Sequence, residues 1–230
     1  MDITQTKPYT ICYMMTSIDG RIDCEMTGQL KGVLEYYNVL QALDIATTVS
    51  GRVTAELEIA QKGKFTPTQY EPYGKEGFSK KMDAIGYEVI VDSKGTLLFP
   101  DASTMEKPYL IVTTTDVSKE YLAYLDRQHI SWITAGKGRT DIVRASEILF
   151  EEFHVRRMGV VGGPIINTAF LEAGLLDEVD LLIGLGIDGR SAFPPVFTGR
   201  QQDEKPIALH LTGHRVFENG AVWLTYSFQK

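Results

Sequence analysis

Two short segments of the chain carry residues whose types and spacing suit an anionic ligand. In the first, an apolar run over residues 158–161 meets Gly162-Gly163-Pro164-Ile165-Ile166-Asn167. The two glycines strip the turn of side chains. Proline belongs at the first helical position, where a missing N–H costs nothing because a helix start leaves that group unbonded anyway. A strand that turns into a helix in this way points backbone N–H groups and the positive end of a helix dipole beyond the strand, and a diphosphate fits there. The second segment is Val49-Ser50-Gly51-Arg52-Val53-Thr54, again a strand entering a helix. Gly51 permits close backbone approach, Thr54 offers a hydroxyl, and Arg52 presents a planar fork suited to a phosphate monoester. Each segment alone has a plainer explanation as a tight turn with a solvated arginine and a cap. Together they carry more weight, because ligands of open α/β sheets bind where the carboxyl ends of strands meet helix starts.

The elements that must position these segments are legible in the apolar periodicity. Tyr9–Thr16 reads as a first strand, followed by a polar turn at Ser17-Ile18-Asp19-Gly20. Residues 30–43 carry Leu30, Val33, Leu34, Tyr37, Leu40 and Ala42 at helical spacing, and 45–50 is a second strand with a short helix after Gly51. Residues 61–80, rich in Gly, Pro, Tyr and Lys, read as a loop insertion whose Tyr70, Tyr73 and Phe78 are able to close over a ring. Strands are expected at 87–91, 109–113, 130–134 and 158–161. Ser118 and Asp141 are placed to cap the intervening helices, and Gly174 to end the helix that Pro164 begins. Repeated strand, helix, strand order predicts a largely parallel sheet covered by helices on both faces. Two last strand patterns flank Glu218-Asn219-Gly220, so the sheet is expected to finish in a tight antiparallel hairpin.

Composition bounds the function. The 230 residues suffice for one α/β domain, and a single domain over 1–230 is expected. A net charge of −7 and a pI near 5.2 argue against a nucleic-acid backbone or an anionic membrane as the partner. No apolar run approaches a membrane span, and the N-terminus lacks the pattern of a signal peptide. Cys12 and Cys24 make no disulfide framework, and neither they nor the histidines at 129, 154, 210 and 214 show metal-ligand spacing. The expectation is a cytoplasmic, metal-free protein.

With both turns in place, the sequence resembles a known family. Gly51-Arg52-Val53-Thr54-Ala55-Glu56 is similar to the Gly-Arg-x-Thr-x-Glu element of dihydrofolate reductase. Gly162-Gly163 with Leu-Glu-Ala-Gly-Leu-Leu-Asp-Glu at 171–178 resembles the reductase domain of the RibD proteins of riboflavin biosynthesis, and so does Ser17-Ile18-Asp19-Gly20-Arg21-Ile22. The resemblance runs from about residue 9 to 228. It implies a three-layer α/β/α, dihydrofolate-reductase-like fold and an NADPH-dependent reductase acting by direct hydride transfer. It further implies that Arg52 meets the adenosine 2′-phosphate, that Thr54 and Gly162, Gly163, Pro164, Ile165, Ile166 and Asn167 hold the diphosphate, and that Ser93 lies near the adenosine ribose.

On the substrate side the resemblance puts the loop 16–23 over the nicotinamide. Asp19 is its acid, although Asp-Gly is also ordinary turn chemistry. Glu35 precedes Gly51 by the interval that separates the substrate-binding acid from the Gly-Arg element in dihydrofolate reductase, and a carboxylate facing an apolar cleft is suited to protonate a ring nitrogen. Departures are concentrated here. Val161 stands where the RibD pattern has Glu, and Glu56-Leu57-Glu58-Ile59-Ala60 replaces its Asp-Asn-Pro-x-Leu element. The expected substrate is therefore the family's ribosylaminouracil phosphate, with a pterin-like heterocycle or a non-catalytic nucleotide sensor as alternatives. A homodimer is expected, joined through edge strands or the hairpin that contains Trp223.

Overall fold

The computed structural model describes residues 5–229. The chain divides into two compact units, one formed by Ala46–Met158 with the segment up to Pro8, the other by Tyr9–Ile45 with Gly159–Lys230.

In the first unit the strands run β3 (Gly77–Ser79), β6 (Ser131–Thr134), β5 (Tyr109–Thr113), β4 (Glu88–Val91) and β2 (Thr47–Gly51) in spatial order. β2, β4, β5 and β6 are parallel, so the loops that follow them share one rim. These strands are buried along nearly their whole length, as expected for parallel strands with both faces covered. α3 (Arg52–Glu58), α4 (Lys119–Arg127) and α5 (Ile142–Glu151) complete the unit. Ser118 and Asp141 do cap α4 and α5, accepting from the Tyr121 and Arg144 amides. One core gathers Ile90, Ile111, Leu97, Tyr121, Leu125 and Ile130.

β3 lies inside the segment read from sequence as a plain loop insertion, and it adds antiparallel to β6. Three residues give too short a pattern to register as a strand; pairing with the exposed edge of β6 supplies its order. The rings expected to close over a ligand serve the unit itself. Tyr70 donates to the Asp116 carbonyl, Tyr73 meets Trp132 edge-on at 5.5 Å, and Phe78 packs on Phe153 at 6.0 Å.

In the second unit the spatial order is β7 (Arg157–Gly162, of which Gly159 onward belongs here), β1 (Tyr9–Thr16), β8 (Glu178–Ile183), β10 (Val222–Phe228) and β9 (Leu209–Val216). β1 and β8 are parallel, and β10 pairs antiparallel with both β8 and β9, giving the expected terminal hairpin. Its turn is held by Phe217 and Ala221 and by Gly220 at φ 93°. α1 (Cys24–Thr27), α2 (Val33–Ala42) and α6 (Pro164–Glu172) belong to this unit, with α1 too short to show periodicity in sequence. The apolar spacing is borne out in part: Leu30, Val33 and Leu40 pack on the core with buried Val39 and with Tyr36, which stacks on Tyr13 at 4.6 Å, whereas Leu34 and Tyr37 are exposed. Tyr13 also donates its hydroxyl to the Tyr36 carbonyl.

Candidate functional site

The glycine corner of the second unit is built by β7 running into α6. Gly163 is the N-cap residue at φ 83°, ψ 127°, a conformation that a side chain does not tolerate. It offers no side-chain cap, and Pro164 at the first position has no N–H. The intrahelical ladder begins with the Asn167 amide donating to the Gly163 carbonyl at 3.0 Å. The amides of Ile165 and Ile166 are thus left at the open end of the helix without a side-chain cap, the arrangement that receives an anionic oxygen. Asn167 is fully buried; its Nδ2 donates to the Val196 carbonyl at 2.8 Å while its Oδ1 has no partner. Ile165 stands 70% exposed beside the corner.

Two loops follow the carboxyl ends of β1 and β8 and are zipped together. Ile18 N–H donates to the Gly186 carbonyl at 2.8 Å, Ile22 N–H to the Pro194 carbonyl at 3.0 Å, and Arg21 Nη1 to the Phe193 carbonyl at 2.7 Å. Asp19 is the knot. Its carboxylate accepts from Ser17 Oγ at 2.7 Å and from the amides of Asp188 and Gly189 at 2.9 and 3.0 Å. The Ser17 hydroxyl and these two amides hold the carboxyl far below the usual carboxylate range. A group so firmly ionised donates no proton near neutral pH, so the geometry gives Asp19 a tying role in place of the acid role expected from sequence. Glu35 sits half-buried in the first turn of α2 with no hydrogen bond or ion pair among the described residues. The apolar tips Ile18 and Ile187 of the two loops are 65% and 75% exposed.

In the first unit the rim beyond the parallel strands is polar and carries both signs of charge; after β5 the Asp116 carboxylate accepts from the Gly138 amide at 2.6 Å. Gly51 caps α3 in ordinary extended geometry, φ −93°, ψ 168°, with no side-chain cap hydrogen bond. Arg52 pairs with Glu56 one turn on, and Thr54 is half-buried on the same helix. Sequence reasoning did not foresee that pairing, because an i, i+4 contact depends on rotamers. After β4, the Ser93 hydroxyl meets the Thr140 hydroxyl at 2.7 Å, and the Thr114 hydroxyl donates to the Ser93 carbonyl at 3.0 Å. Asp92, fully buried, organises this turn by accepting from the Thr96 and Leu97 amides at 2.7 and 3.0 Å.

After β6, Gly136 at φ 80° has its backbone so close to Arg139 that a Cβ would come within 2.3 Å of the Arg139 carbonyl oxygen. This turn presents Lys137 and Arg139 on the rim that also carries Lys94, all three exposed and none with an ion-pair partner among the described residues. Basic residues in a Gly-x-Gly-x loop were a usable signal that sequence reasoning missed. The hydroxyls of Ser50 and Thr113, at the ends of β2 and β5, are buried without partners.

Among the described residues, no group of His, Cys, Asp and Glu is placed to hold a metal ion, and no helix is long and apolar enough to cross a membrane.

The fold is α/β, with mostly parallel strands closing in an antiparallel pair and glycine corners at strand ends. The chain belongs to the RibD C-terminal domain family, whose model matches residues 8–223. Solved structures agree on the fold. A pyrimidine reductase-like protein from Corynebacterium diphtheriae is 18% identical with a TM-score of 0.72, covering 97% of this chain and 92% of its own. The riboflavin biosynthesis reductase of Saccharomyces cerevisiae is 19% identical with a TM-score of 0.64, covering 100% and 93%. A Thermotoga maritima diaminohydroxyphosphoribosylaminopyrimidine deaminase/5-amino-6-(5-phosphoribosylamino)uracil reductase is 16% identical with a TM-score of 0.67; there the match covers 99% of this chain but only 58% of that protein.

Proposed function

We propose that the chain is an NADPH-dependent reductase of a phosphorylated aminopyrimidine of the riboflavin-biosynthesis type. The observation that carries the cofactor assignment is the α6 corner: Gly163 in a conformation reserved for glycine, a helix start with no side-chain cap, and a buried, unpartnered Asn167 Oδ1 behind it. These features fit a diphosphate held by main-chain amides, with Gly162, Gly163, Ile165 and Ile166 nearest to it.

Taken by itself, the first unit carries exposed Lys94, Lys137 and Arg139, cations of a kind suited to a phosphate monoester such as the one that distinguishes NADPH from NADH. Arg52, part of whose guanidinium Glu56 leaves open, and the Thr54 and Ser93 hydroxyls belong to the same unit and offer further donors. The bound coenzyme supplies a hydride. The protein's own residues orient it, exclude water with the apolar loop tips Ile18 and Ile187, and keep the covering loops closed through Asp19.

Glu35 favours a second reading, reduction of a pterin-like ring, because it is a half-buried carboxyl without a partner in the position implied for a substrate-binding acid. The deciding experiment follows loss of the nicotinamide absorbance with NADPH and either the ribosylaminouracil phosphate or a dihydropterin. Turnover of the first supports the leading reading and turnover of the second replaces it. NADPH binding with no oxidation across a panel of heterocycles indicates a sensor, in keeping with Val161 in place of the family's Glu. We place the enzyme in the cytoplasm, in keeping with its free cysteines Cys12 and Cys24, and as a homodimer joined at the β9–β10 hairpin.

A further inference from the structure

Within the second unit one sheet face carries a buried carboxyl, Asp180, with the half-buried Glu178 two residues before it, and the proposed chemistry uses neither. Cross-strand register places Tyr13, Asp180, Thr225 and Gly213 in one row over β1, β8, β10 and β9. The rows on either side are Ile11, Glu178, Ser227, His210 and Met15, Leu182, Trp223, Arg215. Asp180 is completely buried, and neither of its carboxyl oxygens has a hydrogen-bond partner. Trp223 Nε1, on the adjoining row, is also buried and unpartnered. The Thr225 hydroxyl and the Trp223 indole stand beside Asp180 and favour its ionised form, yet neither closes to a formed hydrogen bond.

The remaining neighbours offer no positive charge at close range. Tyr13 gives its hydroxyl to the Tyr36 carbonyl on α2, and Cys12 lies on the adjacent strand with its thiol raised first by burial and then by Asp180. Glu178, the next acid on the same face, accepts from Tyr9 at 3.0 Å. His210 and Arg215 lie in the flanking rows on β9 but are exposed, with the Arg215 guanidinium over the Phe217 ring at 4.6 Å. A lone carboxylate enclosed in this way is costly, whereas a protonated carboxyl is not.

We propose that Asp180 is protonated in the native state beneath the seam between β8 and the C-terminal hairpin, with Glu178 in the adjoining row opposing its ionisation, and that losing this proton weakens the hairpin's hold on β8. Burial, followed by the charge of Glu178, pushes the Asp180 carboxyl up to about 7. The native state thus binds a proton that the unfolded chain, with its ordinary aspartate value of 3.8, has released. Stability from this site is fully present below 3.8 and is lost as pH rises through the folded value.

The test uses the full chain without coenzyme, so its result is independent of the cofactor assignment. Carbon-13 NMR of aspartate-labelled protein is expected to show one carboxyl titrating near neutrality, absent from Asp180→Asn, together with a urea midpoint that falls between pH 5 and 7 in the wild type and is flatter in Asp180→Asn. If that variant fails to fold, Glu178→Gln decides: removing the neighbouring charge should lower the neutral midpoint by about one pH unit, roughly tenfold in acid constant. Aspartates that all titrate below pH 5, or a neutral midpoint unmoved in Glu178→Gln, would overturn the proposal.

Discussion

Arg52 shows how residue type can be read correctly while its neighbourhood stays hidden. The fork suited to a phosphate was evident from sequence, but its contact with Glu56 follows from the helix that forms around it. Cations without an ion-pair partner among the described residues lie elsewhere on the rim, at Lys94, Lys137 and Arg139. Two predictions belong at this scale. Arg139→Ala together with Lys94→Ala should weaken NADPH by roughly tenfold or more while leaving NADH nearly unchanged, read by fluorescence titration of each coenzyme. Asp92→Ala removes the acceptor of two amides in a buried turn and should cost about 1–3 kcal/mol in denaturant unfolding; a variant as stable as the wild type would show that water replaces the carboxylate. Asp19 and Asp180 mark the limits of reading acids from sequence. One is held ionised by the Ser17 hydroxyl and by amides from a loop nearly 170 positions away, and the surroundings of the other are set by its cross-strand neighbours, which the sequence does not display.

At the scale of elements, caps and glycines carried the reading. Ser118, Asp141, Pro164 and Gly174 mark helix boundaries through local hydrogen bonding, which a sequence contains in full. Ser118→Ala should therefore lower stability by about 1 kcal/mol. Elements whose order comes from distant partners were less legible: β3 depends on the edge of β6, and the inward turn of Tyr36 on α2 depends on its stack with Tyr13. The paired loops 16–23 and 184–195 supply a pH prediction. The Asp19 carboxyl is depressed, so its stabilisation is complete above the ordinary value of 3.8 and is lost as pH falls below it. Amide exchange at Asp188 and Gly189 should accelerate on acidification below pH 4 relative to Asp19→Asn; equal behaviour in the two proteins would remove Asp19 from the tie.

For the whole molecule, the order of strands and helices foretold the mixed α/β class, and the motif segments foretold the family whose model spans residues 8–223. Substrate choice was less legible, because the RibD pattern lacks its Glu at Val161 and the structure offers Glu35 on another element. The proposed homodimer rests on exposed apolar surface on the terminal hairpin, where Leu211 and Val216 are 47% and 66% exposed. Light scattering should give twice the chain mass of 25.7 kDa, and Leu211→Lys with Val216→Lys should give the single mass. The most direct test of the coenzyme corner is an NADPH titration of the wild type and Gly163→Ala, with folding of both checked by thermal unfolding. Saturable wild-type binding at roughly 1–100 µM, weakened at least about tenfold by the added methyl group, is the predicted result; a wild type that fails to bind NADPH, or a folded Gly163→Ala protein that binds it equally well, would contradict the account.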